Sequence, residues 1–273
     1  GIMITASHNP HSDNGIKMFK SDGFKLERNV EVEIEEIILQ KKANPTQYIS
    51  TVGTKSEVKK SFLNYTNQII EKFDPFNLKE KLLIDCSNGA FYGISEGLLG
   101  ENPKISFIND EPNGSNINLN CGALEQESLL KEVKSKDYKY GVAFDGDGDR
   151  AVFVSSEYGI IQTEKIMFLL FQMLGERYGN KIIVTTEISN LALKHNVESK
   201  GGELIETEVG DRFVVNKTSN KKALFGAEPS GHFYFPNINN SMDGLVALLF
   251  FIQLLEYYED NLSSALNEIN HYQ

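Results

Sequence analysis

Cysteine is scarce: Cys86 and Cys121 are the only two in 273 residues. A disulfide framework is excluded, and a reducing intracellular compartment, the cytoplasm, is the simplest expectation. Basic excess is missing as well. Lys and Arg number 27 against 38 Asp and Glu, a formal charge of −11. No nucleic-acid partner is expected, because such a partner needs a basic patch or stripe. Anionic substrates stay open, since a phosphate needs only a local cluster of donors. Long apolar runs are absent too. Leu245–Ile252 and Ile166–Phe171 are the longest, well short of the ~20 residues of a membrane helix. No basic segment precedes an apolar stretch, so neither a membrane partner nor a signal peptide is expected.

What is present fits a folded chain. Hydrophobic residues make up 40% and charged residues 24%, ordinary proportions for a protein with its own core. The length suggests two domains and a piece of a third, with no staple needed. Gly1–Ser7 opens in an apolar, β-branched run that reads as a strand feeding a loop. A strand beginning at the first residue needs neighbours for its backbone groups, so the true start is expected upstream.

The rest alternates. Val30–Gln40 carries Ile34, Ile37 and Ile38 at helical spacing. Lys41–Ser56, with Asn44-Pro45 and Gly53, reads as a linker, and Glu57–Phe73 as a helix. Strands follow at Leu82–Ile84, Lys104–Ile108 and Tyr140–Phe144, with helices expected through Leu99 and over Ser128–Ser135. A second set has helices at Thr163–Tyr178, Asn190–Lys200, from Asp211 and from a cap at Asp243. Its strands are Ile182–Thr185, Leu204–Thr207 and Ala223–Gly226. This rhythm predicts an α/β fold of consecutive domains, with mixed, mainly parallel sheets sandwiched by helices. The expected boundaries lie near residues 54 and 160.

Three loops carry chemistry. In Thr5-Ala6-Ser7-His8-Asn9-Pro10, a serine at a strand end is a candidate nucleophile, with His8 and Lys17 as nearby cationic or proton-transferring groups. A hydrogen-bonded turn is the plainer alternative. Asp145-Gly146-Asp147-Gly148-Asp149-Arg150 follows a strand directly. Three carboxylates at alternate positions can converge on one hard cation, and glycines allow unusual backbone angles. A solvated acidic turn is the alternative. An EF-hand is excluded, because Arg150 stands where its glycine belongs and Ser156 where its glutamate belongs. Arg150 suggests an anion beside the metal. In Gly226-Ala227-Glu228-Pro229-Ser230-Gly231-His232, the residues Glu228, Ser230 and His232 suit the vicinal hydroxyls of a sugar.

Taken together and in this order, the three loops resemble those of the α-D-phosphohexomutase family, across essentially the whole chain. The resemblance implies residues 1–54 as the latter part of domain 1 with the phosphoserine loop. It implies 55–159 as domain 2 with the metal loop and 160–273 as domain 3 with the sugar loop. The family's opening segment is expected before residue 1. Its fourth domain, with an Arg-x-Ser-Gly-Thr-like phosphate-binding loop, has no counterpart in this sequence.

The implied activity is reversible phosphoryl transfer between the 1- and 6-positions of a hexose phosphate, through phosphorylated Ser7 and a hexose 1,6-bisphosphate. The implied cofactor is Mg2+ on Asp145, Asp147, Asp149 and the Ser7 phosphate. Lys17 is the implied general acid/base, and His8 and Arg150 steady the oxygens around phosphorus. Glu228, Ser230 and His232, with the Gly210-Asp211 turn, are implied to hold the sugar. Gly1–Phe19, Pro112–Ala123 and Val209–Arg212 resemble the subgroup acting on glucosamine phosphate. Pro229 departs from that subgroup's glutamine and leaves mannose and glucose phosphates open. A body that binds metal and sugar phosphate without turnover is the alternative from another class, and a metal-dependent phosphatase is a third. Oligomeric state is left open.

Overall fold

The computed structural model describes residues 1–43, 54–56, 60–75, 77–97 and 99–269. The expected linker residues Asn44, Pro45 and Gly53 lie outside these, as do the first residues of the helix expected from Glu57. At the N-terminus, β1 (Ile2–Thr5) and β2 (Gly15–Met18) form an antiparallel ribbon with Ile4 opposite Ile16. Helix α1 (Arg28–Ala43) forms as the periodicity predicts. Ile37 and Ile38 on it are about half exposed, at 52% and 51%, so the described residues do not cover its expected apolar face.

Helix α2 (Ser61–Ile70) leads into a five-stranded sheet. Its strands are β3 (Leu82–Asp85), β4 (Ile105–Ile108), β5 (Tyr140–Phe144), β6 (Ala151–Ser155) and β7 (Gly159–Ile161), with α3 (Gln126–Ser135) preceding β5. The spatial order is β4-β3-β5-β6-β7. The first three strands are parallel and the last two antiparallel. The β6–β7 hairpin is absent from the sequence reading. It carries this sheet to residue 161.

One expected helix does not form. Residues 90–97 make turns and a single 3-10 turn at Ile94–Glu96. The segment is anchored first by the Ala90 amide, which donates to Gly146 O at 2.8 Å. Gly93 then takes φ +76, and Gly97 is extended. Glycines at these points remove the propensity that the apolar residues suggest.

The second unit holds α4 (Thr163–Tyr178), β8 (Ile182–Thr186), α5 (Leu191–Ser199), β9 (Glu203–Thr207) and α6 (Asp211–Lys221). It continues with β10 (Phe225–Ala227), β11 (Phe233–Tyr234), α7 (Gly244–Tyr257) and α8 (Leu262–Glu268). Its sheet runs β11-β10-β8-β9, parallel except for β11. Asp243 caps α7 as expected, accepting from the Leu245 and Val246 amides at 3.0 and 3.2 Å.

Helix α7 is apolar from Leu245 to Leu255 except at Gln253, and is accordingly buried. It lies between both sheets. Phe251 packs on Phe153 of β6 at 4.5 Å between ring centroids and edge-on to Tyr140 of β5. Phe250 stacks on Phe235 at 4.1 Å. One continuous core therefore contains Ile84 and Phe144 of the first sheet and Ile183 and Phe225 of the second. Phe251 is fully buried, so Phe251→Ala is expected to cost about 3–5 kcal/mol. Urea unfolding would read this as a lower midpoint.

Candidate active site where three loops meet

The serine loop leaves β1 through a tight turn closed by Asn9 N–H on Ala6 O at 2.9 Å. Ser7 sits in the left-handed region at φ +52, a conformation that a non-glycine residue keeps only when its surroundings enforce it. Three contacts do so. Ser7 N–H donates to Thr5 Oγ1 at 2.7 Å. Ser7 O accepts from Gly146 N–H at 3.0 Å and from Asn118 Nδ2 at 2.8 Å. Thr5 Oγ1 in turn donates to Asp147 Oδ2 at 3.0 Å. The serine and aspartate loops are thus tied together directly. A side chain at Gly146 would stand 2.4 Å from Ser7 O, so only glycine allows the approach. Ser7 Oγ lies 3.3 Å from His8 Nδ1. Burial first, then the Arg150 charge, holds His8 below its usual pKa.

The aspartates stand at the end of β5, where the chain turns into β6. Asp145 Oδ1 accepts the Gly148 and Arg150 amides at 3.1 and 3.2 Å. Asp145 Oδ2 and Asp147 Oδ1 are buried with no hydrogen-bond partner among the described residues. One oxygen from each of Asp145, Asp147 and Asp149 lies within 4.8 Å of the others. Oxygens sharing one magnesium at ~2.1 Å are at most about 4.2 Å apart, so slight side-chain rotation closes the set. Buried, partnerless carboxylate oxygens are costly, and a hard divalent cation fits them.

The electrostatics agree with that fit. Burial, and then the charges of Asp149 and Asp147, push Asp145 up to about 7. Burial also acts to raise Asp149, but His232 and Lys17 outweigh it and hold Asp149 well below the usual carboxylate range. Lys17 Nζ bridges Asp147 Oδ2 at 2.6 Å and Asp149 Oδ2 at 2.8 Å. Burial works against its charge, yet the two carboxylates hold it charged well above the usual lysine range. Arg150 Nε is 3.6 Å from Asp145 Oδ2.

The third loop joins the aspartates through His232. Its Nε2 is 3.1 Å from Asp149 Oδ1 and its Nδ1 is 2.8 Å from Glu228 Oε2. Ser230 Oγ is 2.9 Å from the same Nδ1. Burial lowers the ring's pKa, but hydrogen bonds to Asp149 and Glu228 prevail and lift it to about 9. His232 is thus an imidazolium at neutral pH. Arg150 Nε also lies 3.3 Å from Nε2, but a protonated nitrogen has no lone pair to accept with, so Asp149 is its partner. Backbone contacts reinforce the join, with Ala151 N–H on Gly231 O at 2.9 Å. The Gly210 amide donates to Glu228 Oε1 at 3.1 Å.

Ser7, Lys17, Asp149, Arg150, Gly210, Asp211, Glu228, Ser230 and His232 all line one cleft of about 380 Å³, a size suited to a small polar ligand. Lys25 and Thr186 line it as well. Nothing in the sequence around Lys25 marks it as a site residue. It pairs with Asp211 by a side-chain hydrogen bond, so the carboxylate expected to face a sugar is already engaged by a cation from the N-terminal segment. Asn118 enters the sequence reading only within the Pro112–Ala123 stretch, with no role. Its signal is faint: an asparagine in a loop rich in asparagine and glycine.

A family model described as phosphoglucomutase/phosphomannomutase alpha/beta/alpha domain I matches residues 1–45, and the domain III model of the same family matches 162–272. Together the matches span more than half of the chain, and the chain belongs to this family.

Among curated relatives, phosphoglucosamine mutase of Limosilactobacillus reuteri is 34% identical over 276 residues, covering 100% of this chain and 61% of its own length. That of Helicobacter pylori is 38% identical, covering 100% and 63%. The chain spans about three-fifths of the length of the curated relatives it matches. Among solved structures, a putative phosphomannomutase from Thermus thermophilus superposes with a TM-score of 0.84 at 21% identity, covering 98% of this chain and 62% of its own. Aspergillus fumigatus N-acetylphosphoglucosamine mutase, in complex with GlcNAc-6P and magnesium, gives 0.71 at 17%, covering 99% and 73%. These two show the fold.

Proposed function

We propose that this chain carries the phosphoryl-transfer centre of a mutase acting on a hexose phosphate, with glucosamine phosphate as the favoured substrate. One observation carries the reading. The serine loop, the aspartate triad and the sugar loop are bonded to one another around a single cleft, through Gly146 to Ser7, Thr5 to Asp147 and His232 to Asp149. The curated phosphoglucosamine mutases support the choice of sugar.

In this reading Ser7 Oγ carries the phosphoryl group. A hydroxyl of the bound hexose phosphate attacks phosphorus, the new O–P bond forms, and the bond from phosphorus to Ser7 Oγ breaks. Lys17 is charged, so its ammonium gives a proton to the departing Oγ and then takes the one leaving the sugar hydroxyl. The bisphosphate turns over in the cleft and returns its other phosphoryl to Ser7. Asp145, Asp147, Asp149 and the Ser7 phosphate would hold magnesium, which supplies positive charge against the transferring group. Arg150 and His8 steady phosphate oxygens. Glu228 and Ser230 have lone pairs left for sugar hydroxyls, and His232 keeps Glu228 in place. The same hydroxyl contacts serve both orientations of the sugar, so one site reaches two carbons.

The test is a half-reaction. The chain is incubated with Mg2+ and the 1,6-bisphosphate of glucosamine, mannose or glucose, and phosphoryl on Ser7 is read by peptide mass. Uptake fastest from the glucosamine compound is expected. Equal uptake from all three would remove the sugar assignment. Release of inorganic phosphate with no phosphoserine would replace the mutase with a phosphatase.

A further inference from the structure

We propose that Asn118 is a positioning residue for the nucleophile loop, a clamp that holds Ser7 in its left-handed turn. The inference deepens the mutase reading and rests on it for its chemical consequence. Asn118 Nδ2 donates to two carbonyls of the serine loop, Ser7 O and Asn9 O, both at 2.8 Å. The residues are 111 and 109 positions apart in sequence. Both targets are acceptors only, so the amide nitrogen and not its oxygen must face them. Two hydrogens of one rigid amide therefore fix two points of the turn that carries Ser7, one on each side of His8.

The clamp is itself built on a buried support. Asn118 is left-handed at φ +55, and its amide donates to Ser87 O at 2.9 Å. Ser87 and the far end of the Asn118 loop both hang from Asp85, a carboxylate only 2% exposed at the end of β3. Asp85 Oδ1 accepts from Ser87 N–H at 2.9 Å and Asn109 Nδ2 at 3.0 Å, and Oδ2 accepts from Gly122 N–H at 2.9 Å. Gly122, at φ +83, leaves no room for a side chain, which would meet Ser87 Cβ at 2.8 Å and Phe144 O at 2.9 Å. The central sheet thus reaches Ser7 through a short, rigid path that is separate from the aspartate loop. Without the clamp, Ser7 O keeps only the Gly146 amide, and Asn9 O loses this tie to the central domain. A displacement of about 1 Å at a reacting atom is enough to slow a positioned reaction about a hundredfold.

The discriminating variant is Asn118→Gly in the full chain. It deletes the amide yet suits the left-handed backbone, so folding is preserved. Hydrogen exchange of the peptide over residues 6–12, read by mass, is expected to quicken at least tenfold, while that of β3 and β5 stays unchanged. Phosphoryl uptake on Ser7 from the hexose 1,6-bisphosphate is expected to slow at least tenfold, with the bisphosphate concentration giving half-maximal rate and the Mg2+ affinity each within threefold. Asn118→Asp, which keeps the shape but loses both donors, should behave in the same way. Unchanged exchange over 6–12 would overturn the clamp. Faster exchange with normal uptake would overturn its role in placing Ser7. A wild-type chain that never takes up phosphoryl would sink the mutase reading instead, and the exchange comparison would still decide the clamp.

Discussion

Ser7→Gly removes phosphoryl uptake altogether, and the phosphorylated serine peptide disappears from the mass spectrum. This is the largest effect expected of any single change. Glycine is the better choice than alanine, because Ser7 occupies φ +52, where a Cβ is strained by about 1–3 kcal/mol and glycine is not. The fold and the loop geometry are therefore kept while the proposed nucleophile is lost. Removing a covalent nucleophile costs at least about 10³-fold in turnover. Mg2+ affinity of the unphosphorylated chain should change by less than threefold, since the aspartates are untouched. A Ser7→Gly chain that still took up phosphoryl into the serine loop would end the proposed mechanism.

Asp145→Asn should do two opposite things: stabilise the metal-free protein and destroy its metal binding. Asp145 Oδ1 accepts two amides, which an asparagine oxygen can keep. Its other oxygen is buried beside the Asp147 and Asp149 charges, with Arg150 Nε at 3.6 Å but no hydrogen-bond partner among the described residues. The carboxyl is lifted from 3.8 to about 7. Between those values the folded chain holds a proton that the unfolded chain has released, so stability falls as pH rises through that window. At about 1.4 kcal/mol per pKa unit, the ionised group costs the metal-free fold on the order of 2–4 kcal/mol at pH 8. His232 works in the same direction. Lifted from 6.5 to about 9, it stabilises fully below the lower value and loses that contribution as pH climbs to the upper one. Urea unfolding in EDTA should therefore show a wild-type protein that weakens from pH 5 to pH 9, and an Asp145→Asn variant that is more stable at pH 8 and less sensitive to pH. If the triad holds Mg2+ as proposed, the ion must displace the Asp145 proton in the wild type, so its apparent affinity is expected to drop about tenfold per pH unit below about 7. The variant should bind Mg2+ at least about a hundredfold more weakly at every pH. A variant with wild-type stability in EDTA would remove the argument that the triad is built around a positive charge.

Much of the site is legible in the sequence because its chemistry is local. Three aspartates spaced two apart, or Glu228, Ser230 and His232 on one short loop, announce convergence without any knowledge of the fold. The α/β rhythm is legible for a similar reason: buried strands such as Tyr140–Phe144 and helices such as Thr163–Tyr178 are long enough for their patterns to show. What stays hidden is bonded across the chain. Asn118 acts on backbone carbonyls, which every residue has, so nothing at its targets marks them. Lys25 meets Asp211 across 186 residues, and nothing beside Lys25 in the sequence marks it as Asp211's partner. The helix expected after Gly89 does not form, because apolar content counts for less there than the glycines and the tie of that segment to the aspartate loop. The β6–β7 hairpin escapes the sequence reading because the sheet rhythm favours parallel strands, while a tight return at Ser156–Tyr158 needs none of the crossover that rhythm implies.

Helix α7 has a further consequence. Because Phe251 packs on the first sheet and Phe250 on Phe235 of the second unit, the two sheets cannot swing apart without tearing one shared interior. They behave as a single rigid block, with the aspartate loop and the sugar loop cast in fixed relation. In the proposed mechanism, a bisphosphate reversing end for end in the cleft would therefore gain no space from a hinge between these two units. Whatever room the turnover requires has to come from the serine ribbon or from elements outside the block, and dynamics measurements should find the slow motion there.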